Sequence, residues 1–299
     1  MAPIEVDGLT KRYGDVLAND GLSFEVAEGE VFGYLGPNGA GKTTTIRTLM
    51  AFQSPTSGTA RVLGADVRDE RAHVETRRHV GYLPESPAFD ESATGREVLD
   101  LHARVKGDDR RGELLELFSP PLDRPIREYS TGNVQMLGLV QAFMHDPDLV
   151  VMDEPTSGLD PLKVQQFNEF LRGEQDAGTT VFMSSHQLGE VRRVCDRVGI
   201  IRDAELVTTE GVDDLLGRSG KFVRLRAAGD VDVADFELAG THDLEVRSGD
   251  GDVTEVTFTY TGEVDPLVDR LGEYELLDLD VEEAPLDEVF MRFYGGHDV

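Results

Sequence analysis

The sequence is poor in lysine, nearly free of cysteine and devoid of long apolar runs. A single cysteine, Cys195, excludes an intramolecular disulfide and suits a reducing compartment. No stretch approaches the roughly 18 apolar residues that a membrane-crossing helix needs. The longest buried-looking runs, such as Leu149-Val150-Val151-Met152, are strand-sized. The start, Met1-Ala2-Pro3-Ile4-Glu5, lacks the basic-then-apolar pattern of a signal peptide. These absences lead to the expectation of a soluble chain of the cytoplasm.

Lysine stands only at positions 11, 42, 106, 163 and 221, so arginine supplies most of the positive charge. Acidic side chains outnumber basic ones 58 to 29, a net charge of −29. Dense carboxylates with few lysines are the composition expected of a halophile's protein. At about 1 M salt the Debye length shrinks to roughly 3 Å, which screens the self-repulsion of such a surface. The same charge disfavours long-range attraction to nucleic acid, and no nucleic-acid partner is expected.

What is present fits two domains in 299 residues, with 39% hydrophobic side chains to build their cores. Over residues 1–215, strand patterns at 22–26, 31–35, 60–63, 80–83, 149–153, 180–185 and 197–202 alternate with helical ones at 42–50, 95–105, 131–144 and 162–175. That alternation predicts an α/β domain with a mainly parallel sheet. Gly211 to Gly220 reads as a short helical turn followed by the linker Gly217-Arg218-Ser219-Gly220. Beyond it, strands are expected at 221–227, 242–248, 253–260 and 274–283, with helices at about 263–271 and 285–294. Residues 216–299 carry 21 acidic and 7 basic side chains, against 37 and 22 in the first 215. The tail is thus the more acidic part per residue, and it bears no chemical motif.

Gly36-Pro37-Asn38-Gly39-Ala40-Gly41-Lys42-Thr43-Thr44 satisfies the phosphate-loop pattern between the apolar strand Val31-Phe32-Gly33-Tyr34-Leu35 and a helical run from Lys42. Glycines let successive N–H groups turn towards phosphate oxygens, and the helix N-terminus adds partial positive charge. Lys42 is the candidate for the β- and γ-phosphates and Thr43 for Mg²⁺. Downstream, an apolar strand ends in Asp153-Glu154. Such a strand delivers Asp153 beside a metal, and Glu154 can polarise an attacking water as a general base.

With these pieces in order, the sequence resembles the ABC ATPase family. Tyr129-Ser130-Thr131-Gly132-Asn133-Val134-Gln135 stands where the family's signature loop is expected, ending 18 residues before Asp153. Ser130 and Gly132 match, whereas Thr131, Asn133 and Val134 depart from the commoner forms. In the family this loop caps the γ-phosphate held by the other subunit, and Ser130 also reads as a helix N-cap. Ser157-Gly158-Leu159-Asp160 matches the family's D-loop, which implies that Asp160 lies at the contact with the opposite subunit. His186, 33 residues after Asp153, occupies the switch-histidine position. Tyr13 matches the aromatic residue that stacks on adenine. Glu85 stands where the family carries the Q-loop glutamine; the carboxylate adds charge and loses a donor. The resemblance implies that Glu85 joins Thr43 and Asp153 around Mg²⁺ and couples the nucleotide to residues 86–100.

The resemblance covers about residues 3–215. It implies an α/β P-loop ABC ATPase domain over 1–215, with a mainly parallel sheet, N-terminal antiparallel strands and a helical subdomain at about 86–145. A small acidic α+β domain is expected over 221–299, similar to the C-terminal extension of the drug-resistance and sodium-export (ABC-2 type) branch. That likeness rests on Pro285-Leu286-Asp287-Glu288-Val289-Phe290 and on the order of strands and helices. The implied function is an ATPase that traps ATP and Mg²⁺ in a sandwich of two cassettes and powers a separate transmembrane permease, from the inner face of the cell membrane. Two alternatives stay open: a non-transport ABC ATPase of translation or DNA maintenance, and an importer's ATPase. Lys42 and Asp153 are only 111 residues apart, which leaves no room for the coiled coil of many non-transport members.

Overall fold

Strands covered on both faces carry apolar runs, and three fully buried strands, at residues 31–35, 180–185 and 149–153, lie side by side in one sheet. The computed structural model describes residues 1–248 and 252–283. In the first of two units, Met1–Val212, β1 (Ile4–Tyr13) and β2 (Val16–Val26) lead into β3 (Val31–Leu35) and α1 (Lys42–Leu49). A hairpin of β4 (Ser57–Val62) and β5 (Ala65–Asp66) is followed by α2 (Glu70–Thr76) and β6 (Val80–Leu83). Three helices come next, α3 (Gly95–Lys106), α4 (Arg111–Phe118) and α5 (Thr131–Phe143). The chain then alternates β7 (Leu149–Asp153), α6 (Pro161–Asp176), β8 (Thr180–Ser185), α7 (Leu188–Val194) and β9 (Arg197–Arg202) before β10 (Glu205–Gly211) and α8 (Val212–Ser219).

The main sheet has the order β10-β9-β3-β8-β7-β6, parallel except for the edge strand β10. Because β3, β8 and β7 are neighbours in parallel register, Leu35 pairs with Ser185 and Asp153 with Ser184. Three loops therefore leave the sheet at one edge, where open α/β sheets bind their ligands. A second, antiparallel sheet of order β2-β1-β4-β5 shares its core with the first. Phe24, Phe32, Tyr34 and Phe182 stack there, with ring centroids 5.3–6.0 Å apart.

The helical segment is secured by caps and by ion pairs, among them one with a buried carboxylate. Thr94 and Glu97 form a capping box at the start of α3. Arg110, at the N-cap of α4, donates two bonds of 2.6 Å to Glu174 of α6, whose side chain is buried. Helix α5 buries Met136, Leu137, Leu139, Val140 and Phe143, so it is apolar nearly all round and internal. Among the described residues no helix is long and apolar enough to cross a membrane.

In the unit from Asp213 on, β11 (Lys221–Ala228), β12 (Thr241–Ser248), β13 (Val253–Tyr260) and β14 (Leu276–Glu283) form an antiparallel sheet of order β12-β13-β11-β14. Helix α9 (Val264–Leu271) adds Leu267 and Leu271 to a core of Val223, Leu225, Phe236, Val256 and Phe258. The expected fold class is the one found: a P-loop α/β domain with N-terminal antiparallel strands, followed by a small α+β unit. One expectation is corrected. Gly217-Arg218-Ser219 is not loop but the end of α8, which buries Val212 and Leu215 on one face and stops at Gly220, where φ is +78°. The helix expected at 285–294, and with it Pro285 to Phe290, lies outside the described residues.

A histidine pair at the root of the helical segment makes stability depend on pH. His102 of α3 and His145, just after α5, have ring centroids 5.3 Å apart, and Lys106 Nζ nearby donates to Val80 O at 2.7 Å. Burial, with the Lys106 charge adding to it, lowers His102 to about 4 and His145 to about 3. Unfolded, each takes up its proton near 6.5, so below that value the unfolded chain binds more protons than the folded one. Stability therefore falls as the pH drops from about 6.5 towards 4, by up to about 1.4 kcal/mol per pH unit for each histidine. Urea midpoints between pH 6.5 and 4.5 should show this slope, and His145→Leu should remove about half of it; a slope unchanged by that substitution contradicts the assignment.

Candidate active site

The phosphate loop is built by close approach of backbones. Gly36 N donates to Ser185 O at 3.2 Å, tying the end of β3 to β8. A Cβ on Gly36 would lie 2.3 Å from Ile201 O, so no larger residue fits there. Gly39 and Gly41 take φ values of +84° and +109°, conformations that L side chains avoid. Gly41 is the N-cap of α1 and makes no side-chain cap bond. The first N–H groups of that helix are thus left to a ligand.

Lys42 is buried and curls over its own loop. Its Nζ donates to Gly36 O at 2.6 Å and to Pro37 O at 3.3 Å, and stands 3.3 Å from Glu154 Oε1. Pro37, Asn38, Gly39, Gly41, Lys42, Thr43 and Thr44 line one cleft together with Glu85, Asp153 and Glu154. The structure thereby brings together, in one chain, phosphate-loop donors and three carboxylates separated by up to 117 positions in the sequence.

Asp153 and Glu154 are held differently. Asp153 is almost wholly buried at the end of β7, and Ser184 Oγ donates to its Oδ1 at 2.5 Å. Glu154 leaves the strand with φ +49°, a strained conformation for a residue with a side chain. Its N–H donates to Ser184 Oγ at 3.0 Å, its Oε1 faces Lys42, and its Oε2 lies 2.8 Å from His186 Nδ1. The half-exposed His186 thus meets Glu154, a contact that the sequence reading does not contain. Thr43, Asp153 and Glu85 offer hard oxygen donors in the same cleft. Among the described residues no three His, Cys, Asp or Glu side chains form a metal cage by themselves. A partial oxygen set of this kind suits Mg²⁺, which keeps waters and shares substrate phosphates.

Other expected site residues lie apart from this cleft. Ser130 caps α5, accepting from Asn133 N at 3.3 Å, and a Cβ on Gly132 would lie 2.8 Å from Gly158 O. Asp160 caps α6, accepting from Lys163 N at 2.9 Å. Tyr13 is half-exposed in the β1–β2 hairpin, donates to Gln53 Oε1 and lies 5.0 Å beneath Lys11 Nζ. From that hairpin Val16, Leu17 and Ala18 line the cleft, and Tyr13 stands outside the lining.

Sequence reasoning missed the groups that brace this centre. Gln135 Nε2 donates to Pro155 O at 2.9 Å, holding the chain just after Glu154 from α5. Ser184 serves both acidic residues, and Glu190 binds the hydroxyls of Thr156 and Ser185. The residue types were visible; the strand order that brings them together was not. Cys195 is buried, and burial pushes its thiol far above the ordinary range, so it is chemically quiet.

The ABC transporter family profile matches residues 19–157, from β2 through the phosphate loop to the turn after Glu154. The chain is 37% identical to the daunorubicin resistance ATP-binding protein DrrA3 of Streptomyces coeruleorubidus, covering 98% of this chain and 96% of that protein. It is 31% identical to the bacitracin transport ATP-binding protein BcrA of Bacillus licheniformis, covering 98% and 97%. A solved structure of the ATP binding subunit of an ABC transporter is 30% identical, with a TM-score of 0.66 over 71% of this chain and 91% of that one. The dimeric structure of MJ0796, a bacterial ABC transporter cassette, shares the fold at 21% identity, with a TM-score of 0.65 over 70% and 98%. Likeness along the whole chain, with the phosphate loop and paired acids in place, makes this protein a member of the ABC transporter ATP-binding proteins, the ATPases that power transport.

Proposed function

We propose that the chain is the ATPase subunit of an ABC-2 type exporter and works as an ATP sandwich of two cassettes. The observation that carries the two-chain reading is the separation of Ser130 and Gly132 from a cleft that already holds Lys42, Asp153 and Glu154, with His186 2.8 Å from the Glu154 carboxylate. A cleft lacking its signature loop is completed by the Ser130 and Gly132 of a second chain, with Asp160 near that contact. Identical or related partner cassettes both satisfy this geometry.

In this reading, backbone N–H groups of Asn38, Gly39 and Gly41, with those of Lys42, Thr43 and Thr44, bind the ATP phosphates, and Gly36, whose own N–H is taken by Ser185 O, lets the loop turn towards them. Tyr13 stacks on the adenine. Thr43, Asp153 and Glu85 hold Mg²⁺, which neutralises phosphate charge when bound. Lys42 offsets the charge that grows on the γ-phosphate oxygens. Glu154 orients the attacking water and accepts its proton, and His186 holds the Glu154 carboxylate and braces the γ-phosphate. Most of the catalysis is positioning.

Export is supported by the names of the full-length relatives, which include bacitracin transport, daunorubicin resistance and Nod factor export proteins. The partner is then a separate transmembrane permease, which holds the cassette against the inner face of the membrane. Adaptation to molar salt rests on composition, and unfolding at low KCl is its signature. The functional test is purification of the native complex from membranes. The expected result is a hydrophobic permease subunit that stimulates ATP hydrolysis. Recovery with ribosomes or DNA would favour a non-transport ATPase, and a substrate-binding lipoprotein would favour import.

A further inference from the structure

Glu190 belongs to none of the motifs read from the sequence, yet its carboxylate joins the two loops that flank Glu154. Its Oε1 accepts from Thr156 Oγ1 at 2.5 Å, and its Oε2 accepts from Ser185 Oγ at 2.8 Å. Both hydroxyl residues are buried, and Glu190 itself is half-buried in the first turn of α7. A carboxylate is the side chain that offers two acceptor oxygens to two O–H donors, and such charge-assisted bonds are the strong ones.

Each hydroxyl stands at the joint of a functional turn. Thr156 lies where two turns overlap, because Ser157 N donates to Glu154 O and Leu159 N donates to Thr156 O, both at 3.1 Å. Those turns continue into Gly158, whose carbonyl sits against Gly132. Ser185 Oγ accepts from Gln187 N at 2.9 Å, closing a small turn that has His186 at its apex. His186 in turn contacts Glu154 Oε2 at 2.8 Å. The contacts run without a break from Gly132 through Gly158, Thr156, Glu190 and Ser185 to His186.

We infer that Glu190 is a positioning residue for ATP hydrolysis, holding the turn at 157–160 and His186 in one register around Glu154 through Thr156 and Ser185. Both of its oxygens are engaged by hydroxyls, so it does not act as the base itself. The inference rests on the reading of Glu154 as general base and His186 as its partner. Small displacements of such groups cost up to about 10²-fold in rate.

The test is steady-state ATP hydrolysis by the full chain carrying E190A, E190Q or T156V, with ATP binding and melting measured alongside. E190A should lower kcat about 10- to 50-fold with KM for ATP changed less than about twofold, because Glu190 does not line the phosphate cleft. E190Q should recover most of the rate: its amide accepts from one hydroxyl and donates to the other. T156V should lose activity as E190A does, and the double variant should be no worse than either single one. If E190A fails to fold, T156V and E190Q carry the test. Normal kcat in E190A or T156V overturns the inference, as do losses that multiply in the double variant. If Glu154→Gln hydrolyses ATP normally, the underlying reading fails instead; the two failures are therefore distinguishable.

Discussion

Glu154→Gln should bind ATP but hydrolyse it about 10²- to 10⁴-fold more slowly, the range lost with a general base. The substitution keeps the side-chain shape while removing the charge between Lys42 Nζ and His186 Nδ1. The amide cannot take a proton from water, and it presents only one acceptor oxygen where the carboxylate presents two. The backbone is expected to survive, because the φ of +49° is held by the Ser184 contact to Glu154 N and by Gln135 on Pro155. Single-turnover phosphate release, compared with nucleotide retained on the protein, separates the two effects. Loss of both together would point to a collapsed cleft; normal release would remove Glu154 from catalysis.

Lys42→Ala should weaken ATP binding by about 10- to 10²-fold, the amount expected for one or two charge-assisted hydrogen bonds of about 1.5–3 kcal/mol in all. Two changes act together. The phosphates lose their ammonium partner, and the loop loses the bonds from Nζ to Gly36 O and Pro37 O. Glu154, 8% exposed, also loses the cation 3.3 Å from its carboxylate. A buried carboxylate without its partner is costly, so the folded state should be weakened as well. Equilibrium titration with a fluorescent ATP analogue gives the first effect and a urea midpoint the second. Unchanged affinity would mean that the backbone donors alone hold the phosphates.

The site was legible in the sequence wherever backbone geometry restricts residue type within one short window. Gly39 and Gly41 need positive φ and Gly36 has Ile201 O against it, so the phosphate loop is written in contiguous letters. The strands before Lys42, Asp153 and His186 were equally plain, because burial on both faces gives each an apolar run, Val31 to Leu35, Leu149 to Met152 and Val181 to Met183. β1 was harder. Gly8 at φ +56° and register shifts after Val6 and Leu9 break the alternation that marks a half-buried strand. In α8, glycine and serine suggested a loop, and the burial of Val212 and Leu215 prevailed over propensity.

The bracing groups were illegible for another reason. Ser184, Gln135 and Glu190 reach Glu154, Pro155 and Thr156 across 20 to 34 positions, and hydroxyl, amide and carboxylate side chains occur everywhere on surfaces. Only the adjacency of β7 and β8 turns Ser184 into a partner of both acids. Thr131, a departure from the commoner signature forms, becomes explicable in the structure. A Cβ on Gly158 would lie 2.9 Å from its methyl group, so Thr131 fills the space that the glycine leaves.

The most direct measurement of the central claim is the mass of Glu154→Gln in solution with and without ATP and Mg²⁺, by light scattering after chromatography. A sandwich of two cassettes predicts a mass that doubles from 32.9 kDa on adding ATP, with two nucleotides retained per pair. Adding Ser130→Ala and Gly132→Asp to that variant should abolish the doubling, because the partner's loop then no longer caps the phosphates. A chain that stays single with ATP bound, or that pairs equally well without a signature loop, would contradict the account.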